Sequence, residues 1–386
     1  MRRIAVVTPH FPSPMAPTDG RHSYETLRVL SKTYKVHVFY PRPAYSEFWK
    51  PGNLKKLCSD KFQVPGVSVS YHDYRAIPLL SRPFNGAVAA ASVLRDVRAF
   101  DPDLILSFSL YPGGYAALQV GRELAVPVVA VAVGSDVHNI PDPFTRMHTR
   151  DVLRKLDFLV TVSEDLRRRA LTLGARAEAS RTVRGGCDLS VFRPRDRTEA
   201  RNRLGIETGT EAVLYVGRLD ARKGLRELVH AASLLQPTRS QLHVYVVGDG
   251  PDRPLIEKSI RTYGACAFVH LVHGCSFQEV SNWLAAADVF TLPSYMEGCP
   301  NTVMEALACG RPVVATSVGG IPEILNEQCG LLIPPRDSHA LAEALRSALE
   351  RDWNSAAISS HWSRNWAVSA KDLGSTLESV MRENNL

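Results

Sequence analysis

At 386 residues the chain is too long for one small core and fits two domains of ordinary size. Its 45% hydrophobic and 22% charged content is that of a soluble globular protein, and seven cysteines without a C-x-x-C pair argue against a disulfide framework or a structural zinc site. The net charge of +7 is uneven: residues 1–195 hold 28 Lys/Arg against 17 Asp/Glu, and residues 196–386 hold 18 against 22. A basic half can meet nucleic acid, a membrane surface or an anionic substrate, and no nucleic-acid motif favours the first.

Ile4-Ala-Val-Val-Thr8 is far too short for a signal sequence and predicts a buried first strand, so the protein is expected in the cytoplasm. A loop containing Asp19 and Gly20 follows, then a helix near Ser23 to Leu30 and a second strand at Val36–Tyr40. Strand, glycine-bearing loop and helix start form the geometry of a phosphate-facing turn, and equally that of an ordinary strand-to-helix turn. Residues 45–62 mix aromatics with four lysines, which suits either a membrane headgroup interface or a solvated excursion. Leu104–Ser107, Val126–Val133 and Phe158–Val162 are further buried-strand runs, separated by helical patterns at 114–124 and 164–173. Strands alternating with helices predict a mainly parallel sheet with helices on both faces.

Ligands of such sheets collect at the carboxyl ends of strands, so Asp136 and His138, just past Val133, are candidates for proton exchange or for holding hydroxyls. The alternative is a purely structural pair. The charged, proline-bounded stretch after Phe192-Arg-Pro194 predicts a domain boundary near residue 195, giving domains 1–195 and 196–386.

The second half repeats the rhythm: strands at Val213–Val216, Leu242–Val247, Val269–His273, Asp288–Leu292, Val313–Thr316 and Gly330–Ile333, with a helix at Leu225–Leu235. Two such sheets with no solenoid period imply a cleft between domains. A last helix at about 364–383 is expected, able to pack back on the first domain. The stretch from Pro293 to Pro312 reads as loop then helix. Pro300 suits a first helical position, and Val303, Met304, Leu307 and Ala308 recur at helical spacing. Such a helix start offers unpaired N–H groups and a positive dipole for a phosphate, and the carboxylates Glu297 and Glu305 suit sugar hydroxyls. Read singly, the two glutamates are equally a loop charge and a surface residue.

Together these segments resemble the retaining glycosyltransferases of the GT-B fold, family 4, and the N-terminal half is most similar to members that build exopolysaccharide or teichuronic-acid-type polymers. The carrying motifs are Val216-Gly-Arg-Leu-Asp-Ala-Arg-Lys-Gly224, Val247-Gly-Asp-Gly-Pro251, Ala287-Asp-Val-Phe-Thr-Leu-Pro-Ser294, the E-x7-E pair Glu297 and Glu305, and Val318-Gly-Gly-Ile-Pro-Glu323. Phe11-Pro12, Gly20, Tyr111-Pro-Gly-Gly114, Gly134-Ser-Asp136 and Val162-Ser163 extend the likeness over nearly the whole chain. The fold this implies is two doubly wound, Rossmann-like α/β domains facing across a cleft, the first for the acceptor and the second for a nucleotide-sugar donor.

The resemblance implies that Arg218 and Lys223, with Gly217, hold the donor diphosphate without a metal. Glu305 would bind ribose hydroxyls and Glu297 the donor sugar. The backbone of Gly298, Cys299, Pro300, Asn301 and Thr302 would surround sugar and phosphate, and Asp19 and Gly20 would close over the phosphates. Growing negative charge on a leaving phosphate is what a guanidinium and an ammonium stabilise. Asp101-Pro-Asp103 offers a D-x-D pattern but sits at a strand entrance in the basic half and is discounted as a metal site. Two departures stand out: Val133 occupies a position where many relatives carry histidine, and Gly185-Gly-Cys-Asp188 replaces Asn-Gly-Val-Asp. The expected activity is hexose transfer to a glycan or lipid-linked acceptor with a peripheral contact to anionic membrane. A nucleotide-sugar 2-epimerase and a non-catalytic sugar-nucleotide-binding partner are the alternatives.

Overall fold

A computed structural model describes residues 1–13, 19–45, 64–78 and 80–384. The aromatic and lysine-rich stretch from 46 to 62 lies outside the described residues. The chain forms two compact units, one of residues 1–185 with 366–386 and one of residues 186–365.

The first unit runs β1 (Arg3–Val7), α1 (Arg21–Leu30), β2 (Lys35–Ala44), β3 (Ser68–Arg75), α2 (Asn85–Phe100), β4 (Leu104–Ser107), α3 (Gly113–Leu124), β5 (Val128–Ala132), α4 (Ser135–His138), α5 (Pro143–Lys155), β6 (Phe158–Thr161), α6 (Glu164–Thr172) and β7 (Ser180–Thr182). Its strands lie side by side as β3-β2-β1-β4-β5-β6-β7, all parallel. β4 and β5 are buried along their whole length, which is why they read as continuous apolar runs rather than alternating ones. Helices α5 and α6 start on Asp142 and Ser163, whose side chains accept from the amides of Thr145 and Leu166.

The second unit runs α7 (Arg197–Leu204), β8 (Glu211–Val216), α8 (Leu225–Leu235), β9 (Leu242–Val247), α9 (Arg253–Thr262), β10 (Val269–Val272), α10 (Phe277–Ala286), β11 (Val289–Leu292), α11 (Asn301–Ala308), β12 (Val313–Thr316), β13 (Gly330–Ile333), α12 (Ser338–Glu350) and α13 (Ser355–His361). The strand order is β10-β9-β8-β11-β12-β13, again parallel throughout. One continuous core of this unit extends from Cys187 to Trp362.

The division falls after Gly185 and not near residue 195. Cys187 and Phe192 are buried in the core of the second unit, so the segment before Pro194 already belongs to it, and the charged run that follows forms α7. The chain then returns: α14 (Trp366–Glu383) packs on α1 in the first unit, burying Trp366, Leu373, Leu377, Val380 and Met381. Tyr34 Oη donates to Glu378 at 2.9 Å and Ser369 Oγ to the Arg184 carbonyl at 2.9 Å, fixing that helix along its length.

In each sheet the strand order reverses direction once, between β1 and β4 in the first unit and between β8 and β11 in the second. Those are the places where loops leave the strand ends in opposite directions and open a crevice for a ligand. Among the described residues no helix is long and apolar enough to cross a membrane. Of the six described cysteines Cys187, Cys309 and Cys329 are buried, and Cys58 lies outside the described residues. The Asp101-Pro-Asp103 pattern is structural: Asp103 accepts from the Arg3 amide at 2.6 Å, and Asp101 pairs with the Arg3 guanidinium.

Candidate active site

The loop after β8 carries three cations within six residues, and the structure gives each a different fate. A single 3-10 turn, Ala221–Lys223, is capped by the Asp220 side chain, which accepts from the Arg222 amide. The same carboxylate takes the Arg222 guanidinium at 2.8 Å, and these hydrogen bonds hold the Asp220 carboxyl down to about 2. Arg222 is thereby occupied. Lys223 reaches across to the loop after β11, where Nζ donates to Glu297 Oε1 at 2.6 Å with the two side chains only 27% and 10% exposed. Arg218 is exposed and makes no ion pair among the described residues.

Close backbone approach at a few glycines builds this geometry. Gly224 has φ of +65°, and a Cβ there would meet the Pro293 carbonyl oxygen at 2.0 Å. The Tyr295 amide donates to the Arg222 carbonyl at 2.7 Å, so the turn after β8 and the loop after β11 are sewn together. On the far side of Glu297, Gly319 at φ of +56° lies so close that a Cβ would come within 1.8 Å of the Glu297 carbonyl oxygen, and the Gly320 amide donates to the Gly298 carbonyl at 2.8 Å. The Val318–Glu323 motif is therefore the support behind the Glu297 loop. Val247–Pro251 plays the same part for the β8 turn: Leu219 N donates to the Asp249 carbonyl at 3.0 Å, and Gly248 lies against the Gly217 carbonyl. The residue order marks these motifs as family signatures without showing that they brace the donor loops. The signal was present in their glycines.

Tyr215, fully buried, donates its hydroxyl to the Arg218 carbonyl at 2.9 Å and so fixes the backbone that presents Arg218. Ser294 and Thr316 are further residues that the sequence did not single out. Thr316 Oγ1 donates to the Ser294 carbonyl at 2.5 Å, and the buried Ser294 Oγ has no hydrogen-bond partner among the described residues.

Helix α11 begins one residue later than Pro300. The proline is the cap, in an extended conformation, and no side chain caps the first turn at Asn301 and Thr302. Its amides are thus turned toward the loop of Gly298 and Cys299 with the positive end of the helix dipole behind them. Glu305, one turn in, is 4% exposed and not the surface residue that its charge alone would suggest.

In the first unit, Gly20 caps α1 at φ of +62°, and a Cβ would strike the His10 carbonyl at 2.5 Å. Ser23 Oγ donates to the carbonyls of His10 and Gly20, both at 2.6 Å, and Asp19 Oδ1 accepts from the Gly20 amide at 3.0 Å. Only glycine fits this tight turn. Asp136 Oδ1 accepts from the Gly134 amide at 3.1 Å, while its second oxygen is buried with no hydrogen-bond partner among the described residues. Burial raises its carboxyl pKa, opposed by the Gly134 amide and by the nearby His10. His138 is held elsewhere: its Nε2 lies 3.5 Å from Asp165 of α6, with its side chain 2% exposed. Among the described residues no cluster of His, Cys, Asp and Glu has the makings of a metal site.

The chain as a whole is similar to known proteins. The family model described as Glycosyltransferase Family 4 matches residues 20–191, and that described as Glycosyl transferases group 1 matches residues 210–351. The chain is 31% identical over 366 residues to the putative teichuronic acid biosynthesis glycosyltransferase TuaC of Bacillus subtilis, covering 91% of this chain and 90% of that protein. It is 30% identical to the D-inositol 3-phosphate glycosyltransferase of Frankia alni, covering 78% of this chain and 80% of that one. Sucrose-phosphate synthase from Thermosynechococcus elongatus has the same fold, with a TM-score of 0.80 at 21% identity over 99% of this chain and 100% of that one. So does HepE of Anabaena solved with UDP-glucose, with a TM-score of 0.76 at 18% identity over 98% of this chain and 100% of that one. The chain belongs to the family 4 glycosyltransferases and is a glycosyltransferase of the GT-B fold.

Proposed function

We propose that this enzyme transfers a hexose from a nucleoside diphosphate sugar to a hydroxyl of a glycan or lipid-linked acceptor, with retention of anomeric configuration, in the synthesis of a cell-surface polysaccharide. The observation that carries the reading is the Lys223–Glu297 contact at 2.6 Å beside the exposed Arg218, all at the β8–β11 reversal of the second sheet. The relationship to TuaC supports the polymer class, and the UDP-glucose complex of a protein of the same fold supports the donor class.

In this reading Arg218 and Lys223 take the donor diphosphate, aided by the uncapped amides of α11. Glu297 turns from Lys223 toward a sugar hydroxyl, and the buried Glu305 accepts from the ribose. As the bond from the anomeric carbon to the phosphate oxygen breaks, negative charge grows on the diphosphate. The Arg218 guanidinium and the Lys223 ammonium released by Glu297 stabilise it without a metal. The acceptor oxygen forms its bond to the anomeric carbon on the same face, and its proton passes to the departing phosphate oxygen. The products are the nucleoside diphosphate and the glycoside. For the first unit, the reading assigns Asp136 to an acceptor hydroxyl, because it lies just past the carboxyl end of β5.

A thermal-shift screen of UDP, GDP and ADP sugars identifies the donor, since binding to the native state raises the melting temperature by mass action. Turnover of that donor with a lipid-linked or oligosaccharide acceptor, read by NMR for the configuration of the new bond, then tests the reaction. An inverted product rejects the retaining mechanism. An epimerised donor in the absence of acceptor rejects transfer altogether.

A further inference from the structure

A groove of about 540 Å³ runs between α8 and α9 in the second unit, a volume within the range of small-molecule sites. None of Arg218, Lys223, Glu297 and Glu305 lines it. Asp220 and Ala221, from the turn that carries Lys223, do line it, together with Tyr295 from the loop that carries Glu297. Leu225 and Ile256 supply a buried apolar floor, and Tyr263 adds a second aromatic ring. Leu255 of α9 also faces the groove and is 59% exposed, more than any other large apolar side chain of residues 186–365.

The polar groups of the groove leave positive charge to spare. Arg226 of α8 and Lys258 of α9 are exposed, and neither forms an ion pair among the described residues; Arg226 is hydrogen-bonded to the Tyr263 hydroxyl. Both carboxylates are engaged, Asp220 with the Arg222 guanidinium and Asp252 with the Ala221 amide at 2.5 Å. Ser259 and Thr262 turn their hydroxyls onto carbonyls of their own helix. An apolar and aromatic lining beside two cations is complementary to a molecule that joins a ring or hydrocarbon body to an anionic group.

The groove also shares its frame with the donor loops. Asp252 holds the turn at Ala221, the Tyr295 amide donates to the Arg222 carbonyl at 2.7 Å, and Tyr295 Oη donates to Glu227 of α8 at 2.5 Å. A molecule seated against Ala221 and Tyr295 therefore bears on both loops that meet in the Lys223–Glu297 contact. We propose that this groove is a second ligand site, separate from the donor site, for a small aromatic or apolar anion whose binding strengthens donor binding. The occupant braces the turn that presents Lys223, so each ligand tightens the other by the same factor. The coupling rests on the reading of Lys223 as a donor ligand; the site itself does not.

The probe is 8-anilinonaphthalene-1-sulfonate, with uncharged N-phenyl-1-naphthylamine as its control. Fluorescence titration of the full-length protein without donor should saturate at one sulfonated dye per chain, with the uncharged dye bound several-fold more weakly. Leu255→Glu and Lys258→Glu, both at exposed positions and checked for an unchanged melting temperature, should each weaken the sulfonated dye by roughly tenfold. Equal dye binding by the folded variants, or displacement of the dye by UDP, GDP or ADP, overturns the second site. Equal binding of the uncharged dye overturns the anionic class of ligand. In calorimetric titrations with whichever UDP, GDP or ADP sugar stabilises the protein most, saturating dye should tighten donor binding by about fivefold or more. An unchanged donor affinity in protein that still binds the dye overturns the coupling. A wild type that binds the dye but no nucleotide sugar counts against the transferase reading and leaves the groove in place.

Discussion

Lys223 and Glu297 are 74 positions apart, yet their side chains form the shortest link between the two loops of the candidate donor site. Replacing Lys223 by alanine should lower kcat/KM by roughly 10²-fold, the typical cost of losing one group that meets developing charge. The steady-state rate with saturating acceptor measures it, and a near-normal rate in a folded variant would remove Lys223 from the reaction. A second prediction concerns His22, packed edge-on against Phe108 at 6.2 Å and Trp366 at 5.4 Å between ring centres. Burial pushes its imidazole down from 6.5 to about 4, so the folded protein prefers the neutral ring. The unfolded chain binds the proton more readily. The resulting stabilisation is present above pH 6.5 and is lost as the pH falls toward 4, an effect of up to roughly 3 kcal/mol. Thermal melts across that window should show the decline, and His22→Phe should flatten it.

Elements in this protein are positioned by the glycines that let them touch. Gly319→Ala would place a methyl within 1.8 Å of the Glu297 carbonyl oxygen at a left-handed backbone position, so the loop that presents Glu297 must move. The expected outcome is a loss of about 1–3 kcal/mol in stability together with weaker donor binding, read from melts with and without nucleotide sugar. Gly264→Ala is the contrast: its φ is also positive, but no atom lies within 4 Å of the added carbon, so it should cost stability through backbone strain alone and leave donor binding intact. Equal losses of donor binding in both variants would show that strain, not support of Glu297, is responsible.

The whole molecule is one chain that leaves the first unit after Gly185 and re-enters it at Trp366. The two crossings run side by side, with the Cys187 amide donating to the Arg364 carbonyl at 3.0 Å. Because the core of the second unit closes within residues 187–362, a protein of residues 186–365 should unfold cooperatively and bind nucleoside diphosphate on its own. Truncation after residue 365 should do the opposite to the first unit. It removes Trp366, Leu373, Leu377, Val380 and Met381, and at about 1.5–3 kcal/mol for each buried side chain the loss is comparable to the 5–15 kcal/mol of a whole domain. Circular dichroism melts of residues 1–365 should show only the transition of the second unit with a reduced folded signal, and a transition of wild-type amplitude and temperature would refute this.

Much of this was legible in the residues. Buried parallel strands announce themselves as short β-branched runs, so β8, β9, β12 and β13 could be read directly from their residues. The helix α8 was equally plain from its apolar spacing, and the order of the glycine-bearing motifs pointed to the family. The strand β3 and the long helix α2 were not read, because β3 is a half-exposed edge strand without a clean apolar run. In the alanine-rich α2 the buried face is made largely of small residues. The boundary was misplaced because charge and proline mark a linker only on average, whereas the burial of Phe192 decides which core a segment joins. What the sequence by itself determined was composition, periodicity and local turn chemistry, since these depend on neighbours along the chain. Only the tertiary structure decided that β8 lies beside β11, that Lys223 thereby meets Glu297, and that Glu305 is buried. Those pairings join positions tens of residues apart, and their energy comes from burial that no local window contains.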